Sequence, residues 1–198
     1  QGRDIPLVIL TSKSNQQHLD RYRKIARQLA NPDRVPAAER LQLIDEGRLI
    51  ILITCTIHST EVGSTQMVTE FVHDFATTDD PDKLAWMDEA VLLVMPSINP
   101  DGQLMVVDWY NEWLCTEYEG CYTPFLYHKY CGHDNNRDAF MLNTVESNYM
   151  AELMFRAWPP QAYQDHHHTY RVPRGRGTAT VDRLGRSVQG KFARANQR

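Results

Sequence analysis

His58-Ser59-Thr60-Glu61 follows directly on the apolar run Leu49–Thr56. An imidazole and a carboxylate three residues apart, on a turn leaving a rigid strand, can aim a nitrogen and an oxygen at one point. Zinc accepts both ligand types and needs a third from the protein, with a fourth position left for water. The third candidate lies in Asp165-His166-His167-His168. Taken alone, His-x-x-Glu also arises by chance on surface turns. A second cluster, Gly132-His133-Asp134-Asn135-Asn136-Arg137-Asp138, places the Arg137 fork beside the Asn136 amide. That pair suits a carboxylate ligand, because a guanidinium reaches both oxygens at once. Arg137 is the only Arg between Arg48 and Arg156, in an acidic stretch, and an ion pair to Asp134 or Asp138 is its alternative use.

Positioning these groups takes a scaffold, and residues 1–168 read as alternating strands and helices. Ile5–Leu10 reads as an edge strand, and His18–Ala30 as a helix with Leu19, Tyr22, Ile25, Ala26 and Leu29 on one face. Pro36 suits the start of a helix through Leu41 and Ile44, stopped by Gly47. The β-branched run Leu49–Thr56 is the mark of a strand buried on both faces. Gly63–Ala76 predicts a helix, and Val91–Met95 a strand halted by Pro96. Asn99-Pro100-Asp101-Gly102 reads as a tight structural turn at the floor of the site. Gln103–Gly132, rich in Trp and Tyr, reads as a long irregular loop walling a pocket, most of its aromatics serving packing. Asn143 with Glu146 predicts a capping-box start to a helix whose stripe is Val145, Tyr149, Leu153 and Ala157, and Gln161–His168 predicts a final strand. The alternation implies an α/β fold with a mixed, largely parallel sheet flanked by helices, whose ligands collect beyond the carboxyl ends of the strands.

The chain has 198 residues, 42% hydrophobic and 23% charged, which suits one packed domain and excludes a disordered or coiled-coil chain. No apolar run is long enough to span a membrane. Residues 1–168 carry 13 basic against 24 acidic side chains, whereas residues 169–198 carry 8 basic residues and only Asp182. The division therefore falls at 168, between a catalytic-type domain and a basic tail with too few large apolar residues to pack, which is expected to be poorly ordered. An acidic body and a tail nearly free of aromatics argue against a nucleic-acid partner. Four Cys without a Cys-x-x-Cys pair argue against a thiolate zinc site; Cys115, Cys121 and Cys131 either form one disulfide or stay as free buried thiols.

His58-x-x-Glu61, Asn99-Pro100-Asp101-Gly102, Asp134-x-Asn136-Arg137 and Asp165-x-His167, in this order, resemble the zinc metallocarboxypeptidases of the carboxypeptidase A type. The run Tyr127-His128-Lys129-Tyr130 leading into Gly132–Asp138 is similar to their bacterial carboxypeptidase-like branch. The resemblance implies that His58, Glu61 and His167 hold one zinc per chain. Strand alternation alone leaves His167 and the pair His166/His168 both open. It further implies that Asp134 accepts a hydrogen bond from His58 and fixes its tautomer. Asn136 and Arg137 would clamp the terminal carboxylate of a peptide or small amide substrate. The implied reaction is zinc-assisted removal of C-terminal residues, and relatives of this kind are often exported (periplasmic or secreted). Two features depart from the pattern. No Glu follows His167 to serve as the general base, and Gln103–Asn136 contains no Arg to steady an oxyanion, Lys129 being its only basic residue besides His128 and His133. The reading is thus of a C-terminally incomplete catalytic domain. Its rivals are a zinc- or peptide-binding module without catalysis and a related zinc-dependent deacylase.

Overall fold

A computed structural model describes residues 2–128 and 131–168. The proposed tail 169–198, together with Lys129 and Tyr130, lies outside the described residues. Among the described residues there are four strands, β1 (Val8–Leu10), β2 (Leu49–Cys55), β3 (Ala90–Met95) and β4 (Ala162–His166), in one sheet of order β1-β3-β2-β4. β2 pairs parallel with both β3 and β4, while β1 runs antiparallel along β3. Seven α-helices accompany them: α1 (Lys13–Gln16), α2 (Leu19–Leu29), α3 (Ala37–Glu46), α4 (Gly63–Thr77), α5 (Pro81–Glu89), α6 (Pro100–Trp113) and α7 (Val145–Glu152). This is the expected mixed, largely parallel α/β sheet. Among the described residues, no helix is long and apolar enough to cross a membrane.

The two-residue period of the central strands sorts the core into two layers. Ile50 and Leu52 of β2 join Val91, Leu93 and Met95 of β3 on one face, packed with Tyr22, Ile25, Ala26, Leu43 and Trp158. Cys55, Leu92, Val94 and Leu10 face the other way, against Val68, Phe71, Val72 and Phe75 of α4. All six residues of β3 are buried, whereas β2 begins exposed at Leu49 and alternates between buried and half-buried. Burying Cys55 pushes its thiol up to about 11.

Three expectations need correction. Residues 103–113 form most of α6 rather than a loop, and Asn99–Gly102 begins that helix. Asn99 accepts from the Gly102 N–H at 2.9 Å and Pro100 fills the first helical position. Second, the last helix is capped by Thr144, not Asn143. Third, only half of its predicted apolar stripe packs inward. Leu153 and Ala157 face the core together with Met150 and Met154, at the i, i+3, i+4, i+7 spacing of one helical face, while Val145 and Tyr149 stay exposed because steps of four residues drift around the helix. A π turn at Leu153–Ala157, closed by Trp158 N–H to Leu153 O at 2.7 Å, ends the helix.

Gly102 is required where it stands. A Cβ there would lie 2.3 Å from the Tyr127 carbonyl oxygen and 2.4 Å from Asn99 Nδ2, which together lock α6 to the segment before residue 128. Gly102→Ala is expected to destabilise the fold by about 1–3 kcal/mol, read by urea denaturation; an unchanged midpoint would contradict this packing. All four Cys are free, so the disulfide alternative is not realised. A thiol reagent at pH 8 should modify exposed Cys115 and Cys121 in the folded protein and reach Cys55 only after unfolding; rapid native labelling of Cys55 would contradict its burial.

Candidate metal centre

The parallel register of β2 and β4 is what brings distant residues together. Thr54 pairs with Asp165 and Cys55 with His166, so both strands end side by side and release His58 and His167 at the same edge. Beyond β2 the chain turns sharply at Thr56, whose φ of 57° is left-handed, a conformation costing a β-branched residue about 1–3 kcal/mol. Thr56 is fully buried, and its hydroxyl bonds to Thr65 and lies 3.4 Å from Ser64 Oγ in α4, which hold the turn against that cost. Glu61 N–H then closes on His58 O at 3.0 Å, folding the His-x-x-Glu segment so that both side chains project together.

His58 Nδ1 stands 3.1 Å from Glu61 Oε1, and His167 Nδ1 stands 3.0 Å from Glu61 Oε2. The two ring centroids are 4.9 Å apart, and one ligand atom from each of the three residues lies within 4.8 Å of the others. Each outer nitrogen meets a different carboxylate: His58 Nε2 faces Asp134 at 2.9 Å and His167 Nε2 faces Asp165 at 2.9 Å. With each Nε2 proton given outward, both Nδ1 lone pairs point inward at an anionic Glu61. Three acceptors so converged repel one another unless a cation sits among them. Tetrahedral ligands at about 2.0–2.1 Å from zinc are themselves about 3.3 Å apart, and the three residues, with one ligand atom each within 4.8 Å of the others, are of the type and proximity to hold such an ion.

Of the three consecutive histidines, the structure brings His167 to Glu61. β4 ends at His166, which pairs across the sheet with Cys55, and His168 packs against Gly63, where a Cβ would sit 2.8 Å from its Cε1. Burial lowers the pKa of both His166 and His168. Strand alternation could not decide among the three because His167 has already left the pleat. His58 and Glu61 are mostly buried, with side chains 18% and 13% exposed, while His167 at 36% marks the open side.

Asp134 sits where the sequence resemblance implies. Burial opposes its ionisation, but the His58 ring, the Asn136 N–H at 2.9 Å and the nearby Tyr127 hydroxyl together hold its carboxyl below the ordinary value. Asp138 is wholly removed from solvent and accepts from Asn143 N–H at 3.2 Å, Thr144 N–H at 2.8 Å and Thr144 Oγ1 at 3.0 Å, with His133 Nε2 3.2 Å away. These contacts pin the short 3₁₀ turn Asn135–Arg137 at both ends. Both aspartates are therefore occupied, and Arg137 is exposed rather than paired with either. The Asn136 amide reaches to within 3.4 Å of His167 Nε2.

A family model described as zinc carboxypeptidase matches residues 1–170. The chain belongs to the zinc carboxypeptidase family. No curated protein matches it. The match ends just beyond His167, so it spans every motif assembled here. Three further residues that build this site gain their contacts only in the structure. Asp165 stands two residues before His167, and that Asp-x-His spacing was the available signal for its pairing; its other oxygen accepts from Thr54 at 2.8 Å. Asp138 carries no local signal, since its partners lie in the loop beyond it. Asn99 hides within a turn-like motif, yet its Nδ2 donates to both Ile57 O at 3.3 Å and Tyr127 O at 2.9 Å.

The donors around Asp138 lower its pKa far from the ordinary 3.8, burial opposing them. The folded protein thus binds fewer protons than the unfolded chain between the two values, and stability rises with pH across that window. The stability advantage over Asp138→Asn should be full above about pH 4 and shrink steadily below it. Parallel denaturation curves from pH 7 to pH 2.5 check this; a gap that does not change with pH would contradict an ionised Asp138.

Proposed function

We propose that this protein is a zinc-dependent carboxypeptidase-type hydrolase acting on peptides, or small amides, with a free C-terminal carboxylate. The observation that carries the reading is the convergence of His58 Nδ1, Glu61 and His167 Nδ1, each imidazole backed by its own carboxylate. Zinc held there supplies Lewis-acid polarisation of a carbonyl and an acidified water near neutral pH. The chain's own residues do the rest. Asp134 and Asp165 keep the Nε2 protons in place and so present two neutral rings. Arg137, exposed at the end of a turn pinned by Asp134 and Asp138, receives the substrate carboxylate, with the Asn136 amide beside it. Holding that terminus fixes which peptide bond faces the centre, a contribution of orientation.

A second reading follows from one feature. Glu61, Asp134 and Asp165 are each engaged with an imidazole, which leaves none of the three free to take a proton from water. On that reading the protein binds metal and peptide termini without turnover.

Both readings require one zinc per chain, lost in His58→Ala. They also require that peptides ending in a free carboxylate bind more tightly than their amidated forms by about 2 kcal/mol or more, roughly 30-fold. Calorimetry on the zinc-loaded protein measures this, and Arg137→Ala should erase the difference. Equal affinities would remove Arg137 from substrate recognition. Turnover of the free-carboxylate peptide separates the hydrolase from the binding module.

A further inference from the structure

Of the many aromatic residues between 109 and 128, Tyr127 is the one the structure brings against the candidate ligands. Its ring lies 5.1 Å from that of His58, centroid to centroid, tilted by 40°. Its hydroxyl is a neighbour of the Asp134 carboxylate, the same group that faces His58 Nε2, and burial followed by that negative charge raises the hydroxyl's pKa. Its backbone is fixed as firmly as its side chain. The carbonyl accepts from Asn99 Nδ2 at 2.9 Å, and that amide also donates to Ile57 O, in the residue before His58. Gly102, with no Cβ, lets the same carbonyl approach α6. Asn99 thus ties the backbone of residue 127 to the backbone entering the His-x-x-Glu turn. Ring and hydroxyl then act on the two members of the His58–Asp134 pair.

We propose that Tyr127 is a positioning residue of the metal centre, holding the Asp134 carboxylate and the His58 ring in the orientation that turns Nδ1 toward Glu61. The inference rests on His58 being a metal ligand, and it adds a residue outside the ligand set. The ring blocks rotation of the imidazole about its Cβ–Cγ bond. The hydroxyl offers Asp134 a donor besides the Asn136 N–H and the His58 ring, so the carboxylate does not swing away from Nε2. Partners of this kind, one step removed from the ligands, typically change metal affinity by about 10–100-fold when lost.

Full-length protein carrying Tyr127→Phe or Tyr127→Leu tests this, with Co2+ as the probe and chelator competition as the affinity readout. Tyr127→Phe keeps the ring and loses the donor, and should bind Co2+ about 10-fold more weakly with a shifted visible absorption band. Tyr127→Leu loses both and should bind about 100-fold more weakly. Wild-type affinity and an unaltered Co2+ spectrum in both variants would overturn the proposal. A metal-free arm guards against a failed metal reading. In urea denaturation, Tyr127→Phe and Asp134→Asn should be non-additive in the double variant, because they share one contact. Strict additivity would overturn the proposal whether or not metal binds. Absence of Co2+ binding by the wild type would sink the ligand assignment and leave the double-variant cycle to decide the Tyr127–Asp134 link.

Discussion

Two imidazole nitrogens and one carboxylate, all acceptors, are turned toward the same small volume at the end of a parallel sheet. Such an arrangement is electrostatically unfavourable by itself, and a great deal of structure is committed to maintaining it. Asp134 and Asp165 sit behind the two rings, each 2.9 Å from an Nε2, and favour the tautomer that keeps the ring proton on that side. Glu61 offers one oxygen to each ring. In that tautomer a cation that takes nitrogen and oxygen ligands would make the three groups mutually attractive.

Everything around the group answers the question of how residues more than a hundred positions apart are kept in register. The sheet does the coarse work, since β2 and β4 run parallel and end together. Finer placement falls to polar contacts beyond the strand ends. Thr56 accepts a left-handed backbone to turn the chain toward His58. Asn99 links that turn to Tyr127 through one amide. Asp138 fastens the segment bearing Asp134, Asn136 and Arg137 to the start of α7. Each device is a buried polar group whose side chain is hydrogen-bonded to neighbouring turns or segments, which is how a rigid site is built from loops.

Much of this was legible in the sequence, and the parts that were not share a cause. β2, β3, α2, α3 and α4 were visible because long apolar periods leave little choice of element. The helix α6 was not, because Asn-Pro-Asp-Gly serves a turn and a helix cap equally well, and only the segment packed on Gly102 distinguishes them. Asp80-Pro81 carried a usable start signal for α5 that the reading passed over. The first half of the α7 stripe was misplaced because a run of four-residue steps drifts around a helix of 3.6 residues per turn, whereas Leu153 and Ala157 do face the core. His58, Glu61 and the His166–His168 cluster could be named from type and spacing, and Asp134 from the family resemblance. Choosing His167 on geometry needed the strand to end at His166. The role of Tyr127 depends on partners supplied by distant segments, and that of Asp138 on an irregular loop whose path no periodicity announces.

The central claim is that His58, Glu61 and His167 share one zinc ion. X-ray absorption at the zinc edge of the protein loaded with one equivalent tests it most directly. The account predicts two imidazole nitrogens and a carboxylate oxygen at about 2.0–2.1 Å, with the imidazole count falling by one in His58→Ala and again in the double variant with His167→Ala. A shell containing sulfur, or an imidazole count indifferent to both substitutions, would contradict it.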